Sequence, residues 1–124
     1  MTSVYRIQDA NGRGPFKPGM TRFWSVDRPD HDNLRPWLES VSHSQLATWH
    51  RKYRHLGCGC LTLEELRRWF VPREYETLLL MGYRAVEIGA DSILWRDGTQ
   101  VVFGRRRPLA LFALPVALYE ASVA

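Results

Sequence analysis

His50, His55, Cys58 and Cys60 crowd into one short stretch of the chain, with His43 and His31 upstream. Imidazole nitrogens and thiolates are zinc ligands, but zinc sites use a CxxC knuckle or a helical HxxxH, and neither spacing occurs here. His50 and His55 are five positions apart, so on a helix their side chains diverge. The better reading makes Cys60 a small buried hydrophobe and the histidines surface or cap residues, with no metal site. Cys58, in the turn-like run Gly57-Cys58-Gly59-Cys60 just ahead of a helix start, is placed for a lowered thiol pKa. No cysteine-enzyme signature surrounds it, and no serine sits in a GxSxG elbow.

Anion chemistry has more material. Arg6, on a first strand, and Arg13, in the run Asn11-Gly12-Arg13-Gly14, can converge on a diphosphate, which a guanidinium grips with two parallel hydrogen bonds. Gly12 and Gly14 would let the backbone approach such a ligand closely. The run is neither a Walker loop nor GxGxxG. The competing reading is a turn-rich connector beside a solvated Arg6. Three basic clusters follow: Arg51, Lys52 and Arg54; Arg67 and Arg68; and Arg105 to Arg107. With Trp49, Tyr53 and Trp69 interleaved, they offer contacts to a nucleic acid or an acidic protein partner, against the plainer reading of solvated helix faces. Finally, Thr99-Gln100-Val101-Val102-Phe103 puts an uncharged amide where a cleft enzyme often carries a carboxylate. Catalytic, binding and packing roles for Gln100 stay open.

The elements that must position these residues follow from periodicity. Alternation predicts a strand over 4–9, and the Gly- and Pro-dense 11–19 a loop. A short strand is expected over 22–26 and a polar loop over 27–33. A short helix then runs to Ser40, capped by Asp32 or Asn33, with Pro36 in its first turn. Leu46, Trp49, Tyr53 and Leu56 make the apolar stripe of a helix over 45–56 that Gly57 would end. Thr62 and Glu65 form a capping box for the next helix, with Leu63, Leu66 and Phe70 facing inward. Pro72 breaks or restarts the helix, and a third helix spans 73–81, closed by Gly82. Strands are expected over 85–88, 92–95 and 100–103, with Asp97-Gly98 as the turn between the last two. Arg105 to Arg107 read as a charge run beyond the last strand.

This order predicts an α+β fold: one compact domain over 1–124, with helices covering one side of a mostly antiparallel sheet and 108–124 an apolar C-terminal extension packed on it. At 124 residues the chain can bury a sizeable core without a disulfide or metal. The formal charge of +4 is carried almost wholly by arginine, since Lys17 and Lys52 are the only lysines. It permits a phosphate-bearing ligand or an acidic partner and argues against a DNA mimic. Two cysteines one residue apart give no disulfide framework, which fits a reducing cytoplasm. The N-terminus shows no export signal, and the apolar tail, interrupted by Pro115, is too short to cross a bilayer.

The block Gly82-Tyr83-Arg84-Ala85-Val86, followed by a strand, a turn and Gln100-Val101-Val102-Phe103, resembles the C-terminal half of small ADP-ribosyltransferase-like domains of bacteria and their phages. Val4-Tyr5-Arg6 is similar to the first strand of the arginine-type members. The whole chain also resembles short proteins common in prophages, and some phage counter-defence proteins, certain anti-CRISPR inhibitors among them, share the transferase-like shape. The resemblance implies an ADP-ribosyltransferase-like fold, with NAD held by Arg6, Gly12, Arg13, Gly14 and Tyr83, and with Arg6 and Gln100 at the reacting ribose. The family's acid is replaced by Thr99 or Gln100, and its serine-threonine motif has only Ser25 as a counterpart. An amide stabilises an oxocarbenium-like cation poorly. Asp97, two or three positions away, and Glu87, on the neighbouring strand, are the carboxylates that could take that place. The expected function is therefore an interaction protein that binds and inhibits a host protein or nucleoprotein target, using Arg51, Lys52, Arg54, Arg67 and Arg68. The alternatives are an active NAD-dependent transferase and a small nucleic-acid binder.

Overall fold

A computed structural model describes residues 1–16, 23–24 and 41–119. The expected loop at 27–33, the short helix to Ser40, Lys17, Ser25, His31 and the last residues of the tail lie outside the described residues. So does most of the strand expected at 22–26; of its described residues, neither Phe23 nor Trp24 belongs to a strand.

The elements run β1 (Thr2–Gln8), α1 (His43–Lys52), β2 (His55–Gly59), α2 (Leu63–Trp69), α3 (Pro72–Leu80), β3 (Arg84–Ala90), β4 (Ser92–Asp97), β5 (Gln100–Arg105) and β6 (Leu114–Pro115). The class is α+β and the strand pairing antiparallel, as expected, but one sheet is replaced by two. One has the order β1-β3-β6 and the other β2-β5-β4. The single residue Asp91 separates β3 from β4, so the chain passes directly from one sheet to the other. A reciprocal pair of backbone hydrogen bonds between Tyr5 and Cys60, both 2.8 Å, stitches the sheets together. The helices correspondingly divide: α1 lies against β2, α2 against β1 and α3 against β3.

Local chemistry explains most boundaries. Ser42 accepts from the backbone N–H of Gln45 and Thr62 from that of Glu65, so both hydroxyls cap their helices as their positions suggested. Of the two roles open to Pro72, the structure shows the restart: it is the first residue of α3, where its missing N–H costs nothing. Glu74, wholly buried, accepts from the Val71 N–H at 3.0 Å and places its negative end at the N-terminus of α3. Gly82, at φ 92°, lets the Tyr83 N–H reach back to the Leu78 carbonyl and close α3. Gly98, at φ 56°, turns the chain between β4 and β5.

The largest departure from expectation is at 53–59. The helix stops at Lys52, Tyr53 is already extended (φ −125°, ψ 130°), and residues 55–59 are a strand paired with β5. Leu56 therefore extends no helical stripe, and Gly57 is not a cap. Gly57 faces side chains that leave it no room for a Cβ, so strand pairing overrides the helical periodicity.

Two apolar clusters sit on opposite faces of β1. Ile7 joins Cys60, Leu66, Trp69, Phe70, Leu78, Tyr83, Ala85 and Leu118 beneath α2 and α3. Val4 joins Ile88, Ala90, Val101 and Phe103 between the two sheets. Leu118 is wholly buried, and the Arg67 side chain donates to its carbonyl at 2.7 Å.

Candidate anion-binding site

Alternation along β1 puts Val4, Arg6 and Gln8 on one face, and the Tyr5–Cys60 stitch holds that face over the β2-β5-β4 sheet. Only glycine in the facing strand makes room for it. A Cβ at Gly57 would collide with Arg6 Nη1 and stand 2.7 Å from the Phe103 ring, and one at Gly59 would stand 2.5 Å from Val4 Cγ1. The Gly57-Cys58-Gly59-Cys60 run is thus a packing device that admits a large side chain between two sheets.

That side chain is Arg6, which is 6% exposed. Its guanidinium carbon lies 5.9 Å from the centre of the Phe103 ring. Nη2 donates to the Gly12 carbonyl at 3.5 Å, the outer limit of a hydrogen bond, and Gly14 packs against the same nitrogen. Nε and Nη1 are buried and have no hydrogen-bond partner among the described residues. Gln8, two positions along on the same face, donates from Nε2 to the Leu109 carbonyl at 2.9 Å, while its buried Oε1 has no partner among the described residues. The neighbourhood therefore contains unused cationic donors and an unused neutral acceptor.

The electrostatics point the same way. Burial pulls the guanidinium pKa below its ordinary value, while the negative ends of Cys58 and Asp9 oppose the shift. Arginine nonetheless keeps its charge in proteins. Asp9 does not pair with it: its Oδ1 accepts from the backbone N–H groups of Asn11 and Arg13, both at 2.9 Å. Asp9 thereby folds residues 9–13 into a tight turn, which the Gly12 N–H to Asp9 carbonyl bond completes at 3.0 Å. A buried charge lacking a counter-charge costs several kcal/mol by order of magnitude, which an oxyanion on the same nitrogens would offset.

The expected site residues divide. Arg6, Gly12 and Gly14 come together. Arg13 is held in the same turn by its backbone but is exposed. Tyr83 lies in the apolar cluster on the other face of β1, where burial first, then Asp9, raises its phenol pKa. Gln100 is buried at the start of β5. Alternation puts it with Val102, opposite the Phe103 face on which Arg6 rests. Its neighbour Thr99 accepts from the Trp69 indole at 2.9 Å. Of the two nearby acids, Glu87 accepts from the Tyr5 hydroxyl at 3.2 Å, on the Tyr5 face of β1, and Asp97 is exposed at the β4–β5 turn. The acid positions weighed from sequence are thus separated from Arg6.

Arg51, Lys52, Arg54, Arg67 and Arg68 are exposed on or beside α1 and α2. The described residues contain no group of three or more His, Cys, Asp or Glu arranged for a metal ion. Cys60 is buried, and its thiol pKa is pushed well above the ordinary range by burial first, then by Glu65. Among the described residues no helix is long and apolar enough to cross a membrane.

Arg105, the first of the three consecutive arginines, is no part of an exposed charge run: it is the last residue of β5 and is 3% exposed. Its Nη1 and Nη2 donate to the carbonyls of Pro108 and Leu111, each at 2.7 Å. The sequence hid this because three consecutive arginines look alike; only the length of β5 separates the buried first from the exposed second and third.

The family model of the Bacteriophage T4 Y00F protein matches residues 1–115, and the chain belongs to that bacteriophage protein family. No curated protein and no solved structure matches the chain.

Proposed function

We propose that this member of a phage protein family binds a phosphorylated small molecule at Arg6, with an NAD-type dinucleotide as the first ligand to test. The observation that carries this reading is that two side chains on one face of β1 have buried polar atoms with no partner among the described residues: Arg6 Nε and Nη1, and Gln8 Oε1. A phosphate oxygen suits the guanidinium, and a sugar hydroxyl or amide N–H suits the Gln8 oxygen. The choice of dinucleotide draws on the resemblance of Val4-Tyr5-Arg6 and of Gly82 to Phe103 to ADP-ribosyltransferase-like domains. Because the guanidinium is buried, ligand binding requires a local rearrangement of the residues that cover it.

Binding ranks ahead of transfer. Gln100 is neutral and lies on the far face of its sheet from Arg6, and Glu87 and Asp97 are engaged or placed elsewhere. Thermal unfolding with NAD, ADP-ribose and inorganic pyrophosphate tests the reading. A ligand at about 100 times its dissociation constant stabilises by about 2.7 kcal/mol, and Arg6→Met should abolish the shift. No shift with any of the three removes the proposal. Transfer of label from NAD to a host protein would restore the transferase.

The second reading is an interaction protein that inhibits a host protein or nucleoprotein target in the manner of phage counter-defence proteins. The exposure of Arg51, Lys52 and Arg54 on and just beyond α1 favours it, since surface charges can meet an acidic partner; Arg67 and Arg68 are exposed on α2 as well, with Arg67 also donating to the Leu118 carbonyl. Charge reversal at Arg51 and Arg54 would weaken such a complex. A steep fall of DNA or RNA affinity with salt would instead identify nucleic acid as the partner.

A further inference from the structure

Phe112 combines two features that rarely coincide. Its backbone is in the left-handed region at φ 58°, the only non-glycine among the described residues with positive φ, and its side chain is 64% exposed. A bulky residue gains nothing locally from this conformation, so the surrounding structure must impose it. Both forks of the buried Arg105 hold the carbonyls of Pro108 and Leu111. The Leu111 N–H turns back to the Pro108 carbonyl at 3.0 Å, and Gln8 holds the Leu109 carbonyl. Leu109 and Ala110 press so closely on Gly12 that a Cβ there would approach to 2.9 Å. Beyond Phe112, β6 anchors the segment to β3. The result is a fixed platform carrying Leu111, Phe112 and Leu114, respectively 45%, 64% and 61% exposed. Arg107 lies over the Phe112 ring at 5.2 Å, and Arg106 is exposed beside it.

We propose that this platform is a protein-docking surface whose partner presents an acidic segment with aromatic or aliphatic side chains that pack on Phe112, Leu111 and Leu114. A rigid exposed aromatic flanked by arginine has the composition and pre-organisation of an interface hot spot. The exposed guanidinium groups of Arg106 and Arg107 select an acidic segment. They also disfavour a second copy of this chain, since a two-fold contact would bring the same arginines together. Leu111 and Leu114 favour a protein over a nucleic acid, because aliphatic side chains offer no stacking face to a base. The platform adjoins the Arg6 site through Gln8 and Gly12, but its exposed side chains are not those of that site. It shares with the interaction reading only the need for a protein partner and differs from the helix arginines in surface.

The test is selection of a random displayed peptide library against the intact protein, followed by affinity measurement on synthetic peptides. Acidic sequences containing aromatic or aliphatic anchors should be enriched. Their affinity should fall at least about tenfold with Phe112→Asn and fall with salt, while Arg73→Glu, a charge reversal at the exposed start of α3, leaves it unchanged. Asparagine tolerates the left-handed region, so Phe112→Asn should unfold at the same temperature or higher. No enrichment, or enrichment of peptides that bind Phe112→Asn equally well, overturns the proposal. So does a lowered unfolding temperature for Phe112→Asn, which would make the ring structural. Phe112-dependent self-association would overturn it in favour of a second copy, and Phe112-dependent binding of single-stranded DNA or RNA in favour of nucleic acid.

Discussion

The two faces of β1 are built by opposite rules. On the face of Tyr5 and Ile7, α2 and α3 cover the strand, aromatic and aliphatic side chains fill the space, and the Tyr5 hydroxyl has Glu87. On the face of Val4, Arg6 and Gln8, the facing strand is stripped to glycine, and a guanidinium and an amide oxygen are buried with unused hydrogen-bonding capacity. The same strand thus carries a stabilising face and a costly one. The cost falls on the two side chains best suited to a phosphate and a hydroxyl, which is where a binding function would keep it.

The apolar face breaks first under truncation. Leu66 is 2% exposed at the centre of its cluster, so Leu66→Ala should lower unfolding free energy by about 2–5 kcal/mol in a denaturant titration. The other face should respond with the opposite sign. Arg6→Met keeps most of the stem's packing and removes an unpaired buried charge, so we expect a gain of about 1–4 kcal/mol, together with loss of any phosphate-dependent stabilisation. A destabilised Arg6→Met would mean that the guanidinium holds the two sheets together, and the contrast between the faces would vanish.

The apolar face was also the legible one. Three- and four-residue spacing exposed Leu63, Leu66 and Phe70, and the cap residues Ser42 and Thr62 marked where two helices begin. The β3, β4 and β5 segments were visible from β-formers and the Asp97-Gly98 turn, although each strand runs further than its apolar centre. The division into two sheets was not legible, because it depends on the Tyr5–Cys60 stitch between residues 55 positions apart. The site was half legible. Arg6 and the glycines at 12 and 14 could be chosen by residue type, and they do meet. The contribution of Gly57 could not be seen, because helical periodicity through Leu56 made it look like a cap. Gln8 and Arg105 were missed because nothing in a local pattern says that a polar strand residue is covered on its own face.

Gly57 offers the sharpest test of how Arg6 is accommodated. Gly57→Ala drives a methyl group into both Nη1 and the Phe103 ring, and overpacking of this kind costs about 1–3 kcal/mol. If the guanidinium is the main obstacle, combining it with Arg6→Ala should recover part of the loss, a coupling of about 0.5–3 kcal/mol in a double-mutant cycle. Additive losses would assign the clash to Phe103 alone and leave Gly57 outside the candidate site.

The smallest effect is the one that separates stability from binding. Thr62 caps α2 through its hydroxyl, with the Glu65 N–H at 3.1 Å, and α2 covers only the apolar face of β1. Thr62→Ala should therefore lower unfolding free energy by about 1 kcal/mol. If the faces are independent, the ligand's dissociation constant for the folded protein should not change, because the cap touches neither Arg6 nor the turn at 9–14. The measurement is a titration well below the unfolding transition, with the extent of folding monitored in parallel. A weakened dissociation constant in a fully folded Thr62→Ala protein would show that α2 positions the Arg6 face through β1, and that what looks like two independent surfaces of one strand is a single coupled unit.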